Sequence, residues 1–153
     1  MKTLALSVLL FAAMALTGAD ATRHEDCPAS WTRIHGRCFL YVPAQTNWAT
    51  AEKNCQSMNA NLATVHGWNE LRRIQIFITK ASRGLGRTWL GGPVCQSEGL
   101  SLWCDGTSLN YRHCGSLNYH WNQNCMFTYN GGRKCWDDEM CTNKYSSVCA
   151  KDI

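Results

Sequence analysis

The 153-residue chain lacks the short motifs that mark the common classes of catalytic site. It contains neither a GxSxG nor an HExxH pattern. Its carboxylates are few and scattered, so they do not indicate the acid pair of a glycosidase. No cysteine stands out as a nucleophile if the thiols are oxidised to disulfides. We therefore expect a binding protein rather than an enzyme.

Runs of three or more basic residues are also absent, and the pair Arg72 and Arg73 lies on a predicted helix. The formal net charge is +4, and such a pair is typical of a solvated helix face rather than of a nucleic-acid interface. A mildly basic surface is compatible with anionic glycans or microbial envelopes. The chain has no Asn-x-Ser/Thr sequon, so we expect no N-linked glycan.

Long apolar runs are missing beyond the N-terminus, where residues 4–16 follow Lys2 and precede the small-residue site Ala19-Asp20-Ala21. This order predicts a secretory signal peptide over residues 1–21. The run is too short to cross a bilayer, and no later segment replaces it. We expect one secreted, extracellular domain over residues 22–153, with no membrane span.

Cysteine, in contrast, is abundant, with ten residues that all follow the predicted signal peptide. Exported proteins are oxidised, so this even number predicts five disulfides. A zinc site is disfavoured because the chain has no pair of CxxC units. Half of the cysteines lie between Cys114 and Cys149, in a stretch that is also rich in asparagine and aromatic residues. This composition predicts disulfide-held loops and short strands, which suit surface recognition.

The first part of the domain predicts a hairpin and a helix. Residues 27–38 are typical of a small hairpin that turns at Gly36 and brings Cys38 back to Cys27. A strand is predicted over residues 39–42. Asn47 is a predicted N-cap for a helix over residues 48–58, with Ala51 and Cys55 on its buried face.

A second helix is predicted over residues 69–80, from an apolar stripe formed by Leu71, Ile74, Phe77 and Ile78. A loop over residues 82–87 follows it. Short strands are predicted over residues 62–65 (or a turn there), 88–92, 100–103, 125–129 and 146–149. Helices early and strands late in the chain predict an α+β fold.

Several motifs together carry a resemblance to a known family. They are Cys27-Pro28 with Trp31, Gly36-Arg37-Cys38-Phe39, Trp48 with Ala51 and Cys55, Asn61-Leu62-Ala63, Trp89-Leu90-Gly91-Gly92, Trp103, Asp105-Gly106, Cys125, Cys135-Trp136-Asp137-Asp138, Cys141 and Cys149. From Cys27 to Cys149 the chain resembles the long form of the C-type lectin-like domain. The resemblance implies two helices, two small antiparallel sheets and a long loop region that carries the binding site.

The resemblance also implies a disulfide pattern: Cys27–Cys38, Cys55–Cys149 and Cys125–Cys141. The cysteine before Trp136 is similar to that of a fish subgroup that holds skin-mucus lectins and type II antifreeze proteins, which implies a further bridge, Cys114–Cys135. Two cysteines are left. Cys95 and Cys104 either bridge each other or link two chains in a disulfide-linked homodimer.

The family's calcium site is incomplete in this sequence. Most sugar-binding members hold calcium in the long loop through a Glu-Pro-Asn or Gln-Pro-Asp motif with a cis proline. The corresponding place here is Leu117-Asn118-Tyr119, and no proline follows Pro93. Asp137 and Asp138 keep part of the second half of the site, but calcium takes about six to eight oxygens. We therefore expect no calcium or other cofactor, and we interpret the two aspartates as a turn-capping pair.

The loop instead offers aromatic rings, amides and an imidazole. Rings can stack on the apolar face of galactose, while amides and imidazole bond its hydroxyls. Trp121 is equally consistent with a core residue that closes a shortened loop. The candidate ligand-binding residues are Asn118, Tyr119, His120, Trp121, Asn122, Asp137 and Asp138.

Two functions are consistent with these features. The first is a secreted lectin of mucus or innate defence that binds galactose or lactose on cell-surface or microbial glycans without calcium. The second is a type II antifreeze protein, which binds ice with the same fold. The bulky Tyr119, His120 and Trp121 and the basic surface favour the lectin, because ice-binding faces tend to be flat and rich in small groups. A module that binds proteins remains a third class, because the fold alone does not determine function.

Overall fold

The computed structural model describes residues 26–84, 86–92, 95–97, 100–102, 125–130 and 136–153, with the backbone alone at 95–97, 100–102, 130 and 138. It has two helices, α1 (Trp48–Ser57) and α2 (Trp68–Ser82). The strands are β1 (Thr32–Ile34), β2 (Arg37–Thr46), β3 (Asn61–Leu62), β4 (Gly86–Trp89), β5 (Cys95–Ser97), β6 (Leu100–Leu102), β7 (Cys125–Asn130), β8 (Trp136–Glu139) and β9 (Tyr145–Asp152). Within these ranges, no helix is long and apolar enough to cross a bilayer.

Seven of the strands form one sheet, in the order β1-β2-β9-β4-β7-β8, with β3 also paired to β9. Strands β5 and β6 form a separate antiparallel hairpin. The resemblance implied antiparallel sheets, but the pair β4 and β9 is parallel. The remaining pairs of the large sheet are antiparallel. The α+β architecture of the C-type lectin-like fold is therefore confirmed, with a mixed main sheet.

The N-terminal hairpin forms where the sequence predicts it. Its two-residue turn is His35-Gly36, and both residues have positive φ (48° and 81°). A type I′ turn requires this conformation because its twist matches that of the flanking strands. The turn leaves the His35 side chain exposed at the tip of the hairpin.

Both helices follow their local sequence signals. The Asn47 side chain accepts a hydrogen bond from the Thr50 amide at 2.8 Å, which confirms the predicted cap of α1. In α2 the stripe residues Leu71, Ile74 and Ile78 have no exposed surface and pack in the main core. Amphipathic burial, rather than helix propensity alone, therefore holds α2 against the sheet.

Three of the predicted disulfides are present: Cys27–Cys38, Cys55–Cys149 and Cys125–Cys141. The Cys55–Cys149 bridge spans 94 residues and ties α1 to β9. Closing so long a loop restricts the unfolded chain strongly. The predicted Cys114–Cys135 bridge and Cys104 lie outside the described residues, and of Cys95 the structure describes only the backbone, in β5.

On both sides of β7 the structure differs from the prediction. Gly86 and Arg87, predicted as loop, begin β4 and pair with Asn130 and Tyr129 of β7. Residues 136–139, for which no strand was predicted, form β8 along the other edge of β7. In both places long-range pairing to β7 decides the conformation, which a local sequence pattern does not reveal.

Gly91 lies where the chain passes very close to the segment after β3. Its amide donates to the Ala63 carbonyl at 2.8 Å. A Cβ atom at this position would stand 2.4 Å from the Leu62 carbonyl oxygen. Only glycine therefore fits in this place, where backbone approaches backbone.

Candidate ligand-binding site

The segment that carries most of the predicted ligand residues leaves and re-enters the fold at a closed base. Asn118, Tyr119, His120, Trp121 and Asn122 themselves lie outside the described residues. At the base, the Leu90 amide donates to the Met126 carbonyl at 2.9 Å. The chain therefore departs from β4 and returns into β7 at neighbouring positions.

Helix α1 and a disulfide secure this base. The Trp48 indole donates to the Leu90 carbonyl at 2.9 Å, and the Trp48 amide donates to the Cys141 carbonyl at 3.1 Å. Cys141 is bridged to Cys125, the first residue of β7. Both ends of the loop region are thus attached to a rigid frame, as precise recognition by a loop requires.

Asp137 and Asp138 lie inside β8, opposite Phe127 and Met126 of β7. The interpretation of these aspartates as a turn-capping pair was therefore wrong, because strand pairing to β7 holds them in extended conformation. Asp137 is exposed. Both remain beside the base of the loop region, since β8 pairs with the strand that begins at Cys125.

A polar network next to the aspartates was missed by the sequence reasoning. Arg87 of β4 donates from Nη1 to Glu139 Oε2 at 2.6 Å and to the Tyr145 hydroxyl at 2.9 Å. The Tyr145 hydroxyl donates in turn to Glu139 Oε2 at 2.6 Å. The hydrogen bond with Tyr145 raises the pKa of Arg87 above its ordinary value.

The Arg87 guanidinium also lies over a cluster of aromatic rings. Its Cζ atom is 5.1 Å from the ring centroid of Phe127, 5.8 Å from that of Tyr129 and 5.7 Å from that of Tyr145. Trp89 packs tilted on Tyr145 at 4.7 Å, and its indole donates to the Thr46 carbonyl. These ring and cation–π contacts pack side chains of β4, β7 and β9 against one another next to the loop base.

A second concave site lies between the β1–β2 turn and the start of α2. It is a cavity of about 590 Å³. The lining residues are His35, Arg37, His66, Gly67, Trp68, Asn69 and Glu70. The sequence reasoning singled out none of them as a site, because they come from two segments about thirty residues apart.

The floor of this cavity is an ion pair that is largely buried. Arg37 donates from Nε and Nη2 to Glu70 Oε1, at 3.2 and 2.6 Å. It also donates to the Thr64 hydroxyl at 3.1 Å and to the Thr64 carbonyl at 2.8 Å. The other Glu70 oxygen accepts from the His66 amide at 2.7 Å. The side chains of Arg37 and Glu70 are only 14% and 9% exposed.

Comparison with known proteins agrees with this architecture. The family model for the lectin C-type domain matches residues 44–151. The chain belongs to the C-type lectin family. The match begins near the end of β2 and runs to the last residues of β9, so it includes both helices and the closed loop base.

The relatives of this C-type lectin domain have two different functions. It is 35% identical over 138 residues to a type-2 ice-structuring protein of Osmerus mordax, covering 89% of this chain and 77% of that one. It is also 35% identical over 152 residues to the galactose-specific lectin nattectin of Thalassophryne nattereri, covering 96% of each chain. The solved structure of herring type II antifreeze protein superposes with a TM-score of 0.70 at 35% identity, covering 83% of this chain and 99% of that one.

A calcium site in this C-type lectin domain would need hard oxygen ligands from several residues. Calcium needs about six to eight oxygen ligands. The described residues contain no group of three or more histidine, cysteine or acidic residues that could hold a metal. Glu139, the third acid of β8, already accepts hydrogen bonds from Arg87 and Tyr145. The loop triplet Leu117-Asn118-Tyr119 lies outside the described residues and lacks the family motif.

Proposed function

We propose that this C-type lectin domain is a secreted, calcium-independent lectin that binds galactosides through the loop residues Asn118, Tyr119, His120, Trp121 and Asn122. Its targets are cell-surface or microbial glycans, and its setting is mucus or innate defence. The observation that carries the proposal is the 35% identity to a galactose-specific lectin across 96% of both chains. Secretion follows from the predicted signal peptide over residues 1–21.

The geometry supports direct recognition by the loop. The closed base holds both ends of the loop region with disulfide and indole contacts, so its aromatic and amide groups are attached to a rigid platform. Asp137 and Asp138 of β8 stand beside this base and can accept hydrogen bonds from sugar hydroxyls. Without calcium, ring stacking and these hydrogen bonds must supply all of the affinity.

Such contacts give only weak binding at one site. One stacked ring with two or three net hydrogen bonds contributes a few kcal/mol, which corresponds to a dissociation constant of about 1 mM. Agglutination therefore needs a lectin molecule or assembly that carries more than one sugar-binding site. A homodimer, linked through Cys95 or Cys104 if these do not bridge each other, would supply the second site.

The test is haemagglutination in the presence of a chelator, with lactose as the competitor. We expect agglutination to persist in chelator, to be inhibited by lactose, and to be lost in Tyr119→Ala or Trp121→Ala. Ile76→Ala is the matched control, because Ile76 is an exposed apolar residue of α2. Loss of agglutination in chelator would refute calcium independence. Agglutination that lactose does not inhibit would refute a galactoside as the ligand.

The second candidate is a type II antifreeze protein. It is favoured by the identity to the ice-structuring protein of Osmerus mordax and by the superposition on the herring antifreeze structure. If the purified protein shapes growing ice crystals and does not bind lactose, the antifreeze function is correct and the proposed lectin function is wrong. Ice shaping and lactose binding use the same purified sample, so one preparation decides between them.

A further inference from the structure

The cavity beside α2 has a floor whose charges are compensated within the protein. All three side-chain nitrogens of Arg37 donate to Glu70 or Thr64. Both Glu70 oxygens accept hydrogen bonds as well. A ligand that enters the cavity therefore meets no uncompensated charge on the floor, which disfavours a phosphate or carboxylate as the natural occupant.

The rim of the cavity consists of exposed groups that are not charged carboxylates or amines. Trp68 is 38% exposed, and it is one of four large apolar residues that are exposed in the described part of the chain. The His66 side chain is 40% exposed, and His35 and Asn69 are exposed as well. The Trp68 indole ring offers an apolar stacking surface, and the His35 imidazole and the Asn69 amide offer donors and acceptors beside it.

The position of these rim groups is fixed by the floor and the turn. The His66 backbone amide donates a hydrogen bond to Glu70 Oε2, its ring Nδ1 lies 3.4 Å from the same oxygen, and its Nε2 lies 3.5 Å from the Thr64 hydroxyl. His35 occupies the type I′ turn, and Trp68 is the first residue of α2. The Arg72 Cζ atom lies 5.8 Å from the Trp68 ring centroid, within cation–π distance. A preorganised rim loses little entropy when a ligand binds.

We propose that this cavity is a second saccharide site, which takes one neutral hexose or N-acetylhexosamine unit through stacking on Trp68 and hydrogen bonds to Asn69 and His35. The volume of about 590 Å³ is within the range of small-ligand sites and accommodates one or two sugar rings. Its lining residues come from the β1–β2 turn and the start of α2, whereas the ligand residues proposed above belong to the segment between β4 and β7. Its existence does not depend on the function proposed for that loop.

Two saccharide sites on one chain would change how the protein acts on a glycan surface. A single weak site cannot cross-link cells, whereas two sites on one rigid domain can engage two branches of a glycan or two particles. The monomer would then agglutinate without a disulfide-linked dimer.

Gly67 provides a direct way to block the cavity. It lines the cavity, and a Cβ atom built there meets no atom within 4 Å. Its φ of 176° is ordinary extended backbone, so a larger side chain fits without strain. Gly67→Gln should obstruct part of the cavity while leaving the fold intact. Ile76→Gln is the matched control, because it places the same side chain on an exposed position of α2 that does not line the cavity.

The experiment is an amide and indole NMR titration of the isotope-labelled protein with lactose and, separately, N-acetylglucosamine. We expect saturable shifts of the Trp68 indole and the Gly67 and Asn69 amides in wild type and Ile76→Gln. In Gly67→Gln the apparent affinity at the cavity should fall by at least about tenfold. Trp68→Ala, an exposed substitution, should abolish the cavity response and serves as the second variant if Gly67→Gln does not fold.

The outcomes separate the two sites. Shifts confined to residues 117–124 would overturn the second site and leave the proposed lectin in place. Shifts confined to the cavity would support the second site and refute the loop as the galactoside site. Unchanged cavity shifts in Gly67→Gln would overturn the inference. So would a cavity that responds to sodium sulfate and to neither sugar, which would make it an anion site.

Discussion

Removing one partner of the buried Arg37–Glu70 pair should destabilise the domain far more than removing one partner of the exposed Arg87–Glu139 pair. The Glu70 carboxylate accepts from Arg37 Nε and Nη2 and from the His66 amide. Replacing Glu70 by alanine leaves the mostly buried Arg37 guanidinium without its counter-charge. Removing one partner of a buried pair typically costs about 3–5 kcal/mol. We expect about 3 kcal/mol here, because both side chains keep slight exposure.

The comparison variant is Glu139→Ala. Its partner Arg87 has a similar distance to the carboxylate, 2.6 Å, but the side chains are 40% and 30% exposed. Exposed pairs of this kind contribute about 0–1 kcal/mol. Burial is therefore the main difference between the two carboxylates.

Thermal and urea denaturation would measure both variants with the disulfides intact. The predicted loss for Glu70→Ala corresponds to a fall in Tm of roughly 10 °C, and that for Glu139→Ala to about 3 °C or less. The double variant Arg37→Ala/Glu70→Ala should lose less than the sum of the two single changes, since neither charge is then left unpaired. Equal losses for Glu70→Ala and Glu139→Ala, or additive losses in the double variant, would refute the argument from burial.

Two further outcomes are expected. Gly91→Ala should destabilise the domain by about 2 kcal/mol or more, because the new Cβ meets the Leu62 carbonyl oxygen at 2.4 Å. Gly67→Ala should be nearly neutral in the same thermal melts, since its Cβ meets no atom within 4 Å. A Gly91→Ala variant as stable as wild type would contradict the close approach of the two backbone segments. Peptide mapping without reduction should join Cys114 to Cys135, and a peptide that joins either of them to another cysteine would show that the subgroup's disulfide pattern does not apply.

The sequence by itself determined the elements whose signals are local. The Asn47 side-chain oxygen accepts a hydrogen bond from the Thr50 amide, which is only three residues later in the chain. The apolar stripe of α2 is likewise a spacing of residues within one helix. The three disulfides confirmed here, including Cys55–Cys149, were implied by a resemblance that many short motifs carried together. The ligand residues of the loop stay predictions of the sequence.

Tertiary structure decided the features that join distant segments. The acidic run of β8 has little tendency to form a strand, and only pairing with β7 makes it one. Arg87 reaches Glu139 and Tyr145 across separations of 52 and 58 residues. The cavity beside α2 forms where the His35 turn meets the start of α2, and Arg37 and Glu70 join the two segments. These sites arise because packing the shared core brings the segments together, and no local propensity in either segment encodes that contact.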